Sequence, residues 1–327
     1  EAHITLVARP SAKGLFTHPD FIDDFLTYDR RSSFSVFSQI SAWRKKQFDL
    51  ALLFQNAFEA ALIPFLAGVP VRVGYATEGR TPMLTHPVAL PDWRSTKHEV
   101  FYYLYLVTAL EQFLFQSSDI CEMDPDISID VSDSRRQAAS QILSSHSVTD
   151  QRTIVAICPG STNSRAKRWP AEFYASLADR LLEEQRQVVI VGAKDEEAVT
   201  REVISKMRLE PVVLTGQTTI DQLTAILACV DLLVTNDTGP AHIGAALGKP
   251  TLVIFGPTNP LTTRPLSGQA EIIQHPPDCA PCMLRDCPID HRCMTAITVD
   301  EVFEHSQRLL KRSSFEKTVR SLCDSVA

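Results

Sequence analysis

The chain has 327 residues, of which 44% are hydrophobic and 22% charged, values that suit a globular protein of two domains. No apolar run is long enough to span a bilayer, and the formal net charge of −7 argues against a broad nucleic-acid-binding face. The sequence opens Glu1-Ala2-His3-Ile4, without an initiator Met or an export signal, so we expect a cytoplasmic protein whose chain is entered part-way through.

In the first half, short apolar runs alternate with segments of helical periodicity. We predict strands over residues 4–8, 48–54 and 71–75 and helices over residues 36–47, 56–67 and 96–115. The following stretch, residues 116–151, is polar and rich in Ser and Asp, which is typical of a segment between domains. We therefore divide the chain into domains 1–148 and 149–327, and leave open whether the last helix packs back on the first domain.

The second half alternates strands and helices more strictly. We predict strands over residues 153–157, 188–191, 212–214, 232–234 and 251–255. Helices are predicted to begin at Pro170, Lys194 and Pro240, and also at Thr219, which forms a capping box with Gln222. Because strict alternation requires right-handed crossovers, we expect an α/β fold with doubly wound parallel sheets.

Glycine recurs where four of these predicted strands end, in segments 159–162, 192–194, 216–218 and 236–239. Parallel sheets bind ligands beyond the carboxyl ends of their strands, and glycine allows a ligand to approach the backbone closely. A single glycine of this kind is weak evidence, because strand-to-helix turns also use it for structural reasons. Four along one edge indicate a ligand site.

The most specific of these segments is Asp237-Thr238-Gly239-Pro240-Ala241-His242. With Pro240 as the first helical residue, the amides near Thr238 and Gly239 lie at a positive helix end, which favours an anion such as a diphosphate. Asp237 is then placed to accept hydrogen bonds from sugar hydroxyls. The alternative is that Asp237 or Thr238 only caps the helix and that His242 is a packing residue.

A second segment, residues 161–170, is rich in hydroxyl groups and places Lys167 just before the helix that begins at Pro170. A cation is unfavourable near a helix N-terminus, and a bound diphosphate would resolve that conflict. The alternative for Lys167 and Arg168 is a solvated pair of surface charges. No Gly-x-Gly-x-x-Gly and no phosphate loop ending Gly-Lys-Ser/Thr is present in the sequence.

Several segments together resemble glycosyltransferase family 9, the ADP-heptose:lipopolysaccharide heptosyltransferases. They are Cys-Pro-Gly at 158–160, Ala-Lys-Arg-Trp-Pro at 166–170, Val-Thr-Asn-Asp-Thr-Gly-Pro-Ala-His at 234–242, Phe-Gly-Pro-Thr-Asn-Pro at 255–260, and Val-Arg-Val-Gly-Tyr at 71–75 with Arg80. The resemblance implies the GT-B fold, two Rossmann-like domains facing each other across a cleft. Residues 1–148 would then bind the acceptor and residues 149–327 the nucleotide-sugar donor.

The resemblance also implies a reaction. It is an inverting, metal-independent transfer of L-glycero-D-manno-heptose from ADP-heptose to the lipid A–core acceptor, at the inner surface of the cytoplasmic membrane and without a cofactor. The cysteine spacing and the sequence from Val299 onward resemble the branch of the family that adds the second heptose.

Matching positions imply a role for each site residue. Ser161, Thr162 and Lys167 would hold the diphosphate, Glu196 the ribose hydroxyls, the backbone near Thr218 the adenine and Asp237 the heptose, while Thr238, Gly239 and His242 would line the phosphate side. Lys167 is the predicted catalytic residue, because it would stabilise the negative charge that develops on the departing ADP.

One feature of the family has no match. Its acceptor-activating base is an aspartate in a Gly-Asp after the first strand, whereas this chain opens with what reads as the second strand, residues 4–8. We therefore expect the first strand of the N-terminal domain to be absent from this sequence, and we assign no general base. Two other functions stay open: another sugar-nucleotide enzyme, such as a UDP-sugar transferase or epimerase, and a non-catalytic protein that binds a nucleotide sugar.

Four cysteines are clustered, Cys279, Cys282, Cys287 and Cys293, with the close spacing of a structural zinc site. The alternative is that they pack as small apolar residues, which suits a reducing cytoplasm. We leave these alternatives open, and we expect no metal to take part in catalysis.

Overall fold

The computed structural model describes residues 2–16, 21–28, 33–118, 120 and 124–324, without the side chains of residues 33–35 and 313–324. The chain divides into two compact units, Glu1–Asp126 and Ile127–Ala327. Among the helices of the described residues, none has both the length and the apolar character that crossing a bilayer requires.

The first unit holds short parallel strands in two sheets within its described residues. One sheet pairs β1 (Thr5–Ala8) with β2 (Asp24–Thr27), and the other has the order β3-β4-β5, with β3 (Leu50–Leu53), β4 (Val71–Tyr75) and β5 (His86–Val88). Helices α1 (Ser33–Lys46), α2 (Phe58–Ala67) and α3 (Glu99–Phe115) lie between and after these strands.

The predicted elements of the first half are present, and two strands were missed. Both begin with residues that are depleted in strands, since β2 opens with Asp24, and β5 opens with His86 and contains Pro87. Neither therefore shows the apolar run or the alternation by which a strand is recognised in a sequence.

A buried arginine holds together the carboxyl ends of β3 and β4. Arg80 is 0% exposed, and its guanidinium donates to the carbonyl of Tyr75 at 2.9 Å, to the carbonyl of Gln55 and to Oδ1 of Asn56 at 3.1 Å. The amide nitrogen of Asn56 donates to the hydroxyl of Tyr102 at 2.8 Å, and the Tyr102 ring stacks on Tyr75 with centroids 4.1 Å apart. This network ties the strand ends to α3.

The second unit is built on a parallel sheet of six described strands in the order β11-β10-β9-β6-β7-β8. The strands are β6 (Ile154–Cys158), β7 (Gln187–Ile190), β8 (Val212–Val213), β9 (Leu232–Asn236), β10 (Thr251–Phe255) and β11 (Ala270–Gln274). The chain enters at β6, winds outward to β8 and then returns to the other side of β6 at β9. The carboxyl ends of β6 and β9 therefore form the switch point at which such sheets bind ligands.

Helices fill the spaces between these strands. They are α4 (Asp133–Ser145), α5 (Ala171–Glu183), α6 (Glu197–Ile204), α7 (Ile220–Cys229), α8 (Gly239–Ala246), the single turns α9 (Pro260–Thr263) and α10 (Arg292–Thr295), and α11 (Val299–Asp324). The capping box of Thr219 and Gln222 is confirmed, with reciprocal hydrogen bonds of 2.9 and 3.2 Å. Pro170 precedes α5 as its N-cap, and α8 begins at Gly239, one residue before the predicted start.

Two longer elements of the second unit were missed, besides the single turns α9 and α10. The edge strand β11 reads Ala-Glu-Ile-Ile-Gln and is half-buried, so it lacks the continuous apolar run of the central strands. Helix α4 lies in the polar stretch that was interpreted as a boundary; its buried residues, Ala139 and Leu143, are few, and it packs against α7 of the second unit. The structure thus separates its units after Asp126, before α4, whereas the sequence-based division follows residue 148.

Within the second unit α11 packs against α5 and β9. The guanidinium of Arg180 lies 3.9 Å from the centroid of the Phe303 ring and forms an ion pair of 2.6 Å with Asp300.

Candidate functional site

The carboxyl end of β9 is joined to that of β6 by one buried amide. Asn236, the last residue of β9, is 0% exposed, and its Nδ2 donates to the carbonyls of Pro159 at 2.9 Å and Gly160 at 3.2 Å. Its Oδ1 accepts from the backbone N–H of Trp169 at 3.1 Å and from the hydroxyl of Tyr174 at 2.9 Å. Because a buried polar group with satisfied partners specifies one arrangement, Asn236 fixes the loop between β6 and α5 against β9.

That loop brings a cation to Asp237. Lys167 Nζ lies 2.7 Å from Oδ2 of Asp237 and 3.3 Å from its carbonyl oxygen. The Asp237 side chain is 4% exposed and that of Lys167 is 26% exposed. Thr258, in the loop after β10, donates its hydroxyl to the same Oδ2 at 2.7 Å. The ion pair is buried on its carboxylate side and reaches water on its ammonium side, so a bound anion can share the ammonium group.

Helix α8 begins immediately beyond this ion pair. Its N-cap, Thr238, has an extended backbone and makes no side-chain capping bond; its hydroxyl lies 3.3 Å from the carbonyl of Asn236. Gly239 is exposed, and a Cβ there would meet nothing within 4 Å. His242 is exposed one turn further on, in contrast to the packing alternative. The helix therefore presents its first N–H groups without a side-chain cap, which is the arrangement that binds anions.

Glu196 lies at the carboxyl end of β7, just before α6. It is 7% exposed, its Oε2 accepts from the backbone N–H of Ala193 at 2.9 Å, and its Oε1 lies 3.5 Å from the hydroxyl of Thr162. A Cβ at Gly160 would stand 2.2 Å from Oε1, so only glycine leaves room for this carboxylate. Burial raises the pKa of Glu196 above the ordinary value. The group can accept hydrogen bonds from the hydroxyls of a ligand.

The remaining predicted residues lie along the same edge of the sheet. Ser161 is 4% exposed, and its carbonyl accepts from Nε and Nη2 of Arg168 at 3.2 and 2.9 Å. Arg168 thus has a defined contact within the loop, unlike the solvated charge that was the alternative. Thr162 is exposed, whereas Thr218 is half-buried after β8 and lies three strands away from Asp237 in the sheet order.

The segment between β11 and α10 supports the Lys167 loop from outside, which the sequence did not indicate. The backbone N–H of Ala166 donates to the carbonyl of Arg285 at 2.9 Å, and the carbonyl of Ala166 lies 2.6 Å from Nε2 of His291. Just after α10, the carbonyl of Ile297 accepts from the Nε1–H of Trp169 at 3.0 Å. These contacts hold both sides of Lys167.

The clustered cysteines lie in and after that segment. Cys279 is exposed, Cys282 and Cys287 are half-buried and Cys293 is buried, where desolvation raises its pKa to about 11. Across the described parts of the chain, no group of three or more His, Cys, Asp or Glu side chains is arranged to hold a metal ion. The four cysteines are therefore not gathered as metal ligands in this structure.

The structure brings together the two residues on which the sequence analysis placed most weight. Lys167 was expected to need a diphosphate to offset its charge near a helix start, and Asp237 supplies that offset across 70 positions of sequence. Three further residues of this edge had no predicted role, namely Asn236, Thr258 and His291. Each lies in or near a motif, but its contacts are made to groups far away in the sequence or to Asp237, and spacing does not reveal them.

Comparison with known proteins gives one consistent result. The family model "Glycosyltransferase family 9 (heptosyltransferase)" matches residues 36–292. Lipopolysaccharide heptosyltransferase 2 of Escherichia coli K12 is 33% identical over 240 residues, covering 71% of this chain and 66% of that protein. Lipooligosaccharide heptosyltransferase 2 of Haemophilus ducreyi is 31% identical over 248 residues, covering 72% and 68%.

A solved structure extends the match over the whole fold. The E. coli ADP-heptose lipopolysaccharide heptosyltransferase II superposes with a TM-score of 0.80 at 25% identity, covering 96% of this chain and 91% of that one. The predicted α/β class and GT-B fold are thereby confirmed. The sequence match spans just under two thirds of the E. coli relative's length. With the family model covering most of the chain, the expected resemblance is confirmed, and the protein belongs to glycosyltransferase family 9, the heptosyltransferases.

Proposed function

We propose that this glycosyltransferase moves heptose from ADP-L-glycero-D-manno-heptose to the inner core of lipopolysaccharide, with inversion and without a metal ion. The observation that carries the proposal is the Lys167–Asp237 ion pair of 2.7 Å at the carboxyl end of β9, next to the N-terminus of α8. It offers a cation and helix amides for a diphosphate and a carboxylate for sugar hydroxyls at one point. The relatives named as heptosyltransferases support the sugar and the acceptor.

The chemistry follows from the charges. The acceptor hydroxyl attacks the anomeric carbon and loses its proton to a base, to which we assign no residue. The bond from that carbon to the diphosphate breaks, and its electron pair leaves on ADP. Lys167 and the N–H groups near Thr238 and Gly239 would stabilise this growing negative charge, in the part that a metal ion plays elsewhere. Asp237 would accept hydrogen bonds from the heptose, and His242 would line the phosphate side.

The nucleoside would extend along the sheet edge away from β9. Ser161 and Thr162, after β6, would contact the diphosphate; Glu196, after β7, is suited to the ribose hydroxyls, and the backbone near Thr218, after β8, to adenine. This order of loops follows the strand order β9-β6-β7-β8. No cofactor is needed in this scheme.

The first unit is proposed to bind the acceptor, and the second unit the donor. The acceptor carries lipid A, so the enzyme would work at the inner face of the cytoplasmic membrane as a peripheral cytoplasmic protein. The names of the relatives, which refer to lipopolysaccharide and lipooligosaccharide, support this acceptor.

Titration calorimetry with ADP, UDP and GDP tests the donor, and ADP release with a core-lipid acceptor tests the reaction. We expect ADP to bind most tightly and ADP-heptose to release ADP only in the presence of the acceptor. Preference for UDP would contradict the heptosyltransferase proposal and would favour a UDP-sugar enzyme on the same fold. Binding of ADP-heptose without any turnover would instead favour a non-catalytic binding protein.

A further inference from the structure

The segment 255–260 carries a family motif to which the proposed function gives no role. Thr258, in this segment, is 4% exposed, and its hydroxyl donates to Oδ2 of Asp237 at 2.7 Å. The contact joins the ends of two neighbouring strands, since Asp237 follows β9 and Thr258 follows β10. A buried hydroxyl aimed at the carboxylate that would hold the donor sugar needs an explanation.

The two hydrogen bonds to the carboxylate of Asp237 converge on one oxygen. In the described part of the chain, Oδ2 accepts from Lys167 Nζ and from Thr258 Oγ1, each at 2.7 Å, and no hydrogen bond to Oδ1 is found. Charge-assisted hydrogen bonds of this length are strong and directional, so the pair fixes the rotation of the carboxylate. Oδ1 is left with its full capacity to accept from a ligand.

We infer that Thr258 is a positioning residue for the donor sugar, a role that rests on the proposed function of this site. A diphosphate competes with Asp237 for the ammonium group of Lys167. When the ammonium turns toward the diphosphate, the hydroxyl of Thr258 still donates a hydrogen bond to Oδ2 of Asp237. The carboxylate therefore keeps Oδ1 directed to the sugar while its other partner is engaged with the leaving group.

The loop around Thr258 does not depend on the hydroxyl for its own conformation. The carbonyl of Pro257 accepts from the N–H of Met283 at 2.9 Å, and the side chain of Asn259 caps α9 by accepting from Leu261 at 3.1 Å. The carbonyl of Thr258 accepts from Gln274 at 3.4 Å. A valine, which matches threonine in shape, should leave these contacts in place.

The experiment compares Thr258→Val, Thr258→Ser and the control Thr262→Val by calorimetry with ADP and with ADP-heptose. Thr262 is 9% exposed and its hydroxyl donates to the carbonyl of Asn259 at 3.0 Å, so its variant reports the general effect of losing a buried hydroxyl nearby. We expect Thr258→Val to weaken ADP-heptose about 10- to 100-fold, the effect of one hydrogen bond to a charged group, and to leave ADP binding unchanged. Thr258→Ser should restore ADP-heptose affinity, and Thr262→Val should match wild type.

Equal weakening of ADP and ADP-heptose, or none of either, would overturn the inference. If wild type fails to bind ADP-heptose, the proposed donor is wrong, and a crystal structure of Thr258→Val decides the inference by itself. A carboxylate of Asp237 that rotates from its present orientation supports the positioning role. A carboxylate that stays in place contradicts it, whatever the donor is.

Discussion

Two cations stand at the carboxyl ends of parallel strands, one in each unit, and they are held in opposite ways. Arg80 in the first unit is 0% exposed and donates to two backbone carbonyls and to the amide oxygen of Asn56. Lys167 in the second unit keeps 26% of its side chain exposed and pairs with the carboxylate of Asp237. Both residues lie near strand ends, but they differ in their hydrogen-bond partners and in how far their side chains are exposed.

The partners decide what each cation can do. Burial lowers the pKa of Arg80, and no carboxylate in the described residues forms an ion pair with it, so backbone and amide oxygens carry its charge. Those oxygens belong to strand ends and cannot leave without unfolding them. Lys167 pairs with a side chain and is partly exposed, so an incoming anion can take the place of Asp237 beside its ammonium group. A buried cation that is bound by carbonyl oxygens stabilises the fold, whereas a partly exposed cation that pairs with a carboxylate can bind a ligand.

The largest expected effect comes from Arg80→Met, which tests the structural side of this comparison. Removal of the guanidinium deletes its hydrogen bonds to the carbonyls of Tyr75 and Gln55 and to the amide oxygen of Asn56 around a fully buried side chain, so the free energy of unfolding should fall by about 3–5 kcal/mol. Urea unfolding followed by circular dichroism measures the change. Arg72→Met, which removes a half-buried arginine from β4, is the control and should cost less. A smaller loss in the free energy of unfolding than that of the control would show that Arg80 does not stabilise the fold in this way.

The next effect comes from Lys167→Ala, which tests the binding side. Loss of a cation from the charge that develops on ADP should lower kcat by roughly 100- to 1000-fold. Asp237 loses a partner as well, so some stability should be lost, and the double variant Lys167→Ala/Asp237→Asn should recover part of it. Lys206→Ala, on an exposed residue, is the matched control and should retain wild-type turnover. A wild-type rate for Lys167→Ala would show that Lys167 does not stabilise the departing ADP.

The contrast between the two cations also shows how far the sequence could be taken. Strands β6 to β10 of the second unit and the motifs at 158–170 and 234–242 were predictable, because buried parallel strands are continuous apolar runs and their ends carry glycine. The burial of Arg80 was not predictable, since its partners are backbone carbonyls, which every residue carries. The pairing of Lys167 with Asp237 spans 70 positions and depends on the strand order, which a local pattern does not contain.

The smallest effect concerns Glu196, a carboxylate that is buried like Arg80 but is proposed, like Lys167, to contact the donor. Burial raises its pKa, so in the pH range between the ordinary value of 4.5 and the raised value the folded protein binds more protons than the unfolded chain. Stability should therefore fall as the pH rises through this range, and Glu196→Gln should remove that component of the slope. Urea unfolding at several pH values measures it, with Glu197→Gln, on the neighbouring and more exposed carboxylate, as the control.

ADP affinity should change in the opposite direction over the same pH range. A charged Glu196 accepts hydrogen bonds from ribose hydroxyls more strongly than a neutral one, so binding should tighten as the group loses its proton. Calorimetry with ADP at each pH, on wild type and on Glu196→Gln, separates the two roles of this residue. In wild type, stability should fall and ADP affinity should rise as the pH increases, and neither change should occur in the variant. This result would show that the buried carboxylate lowers stability but binds the ligand. A slope in stability without a change in ADP affinity would show that Glu196 does not contact the ribose.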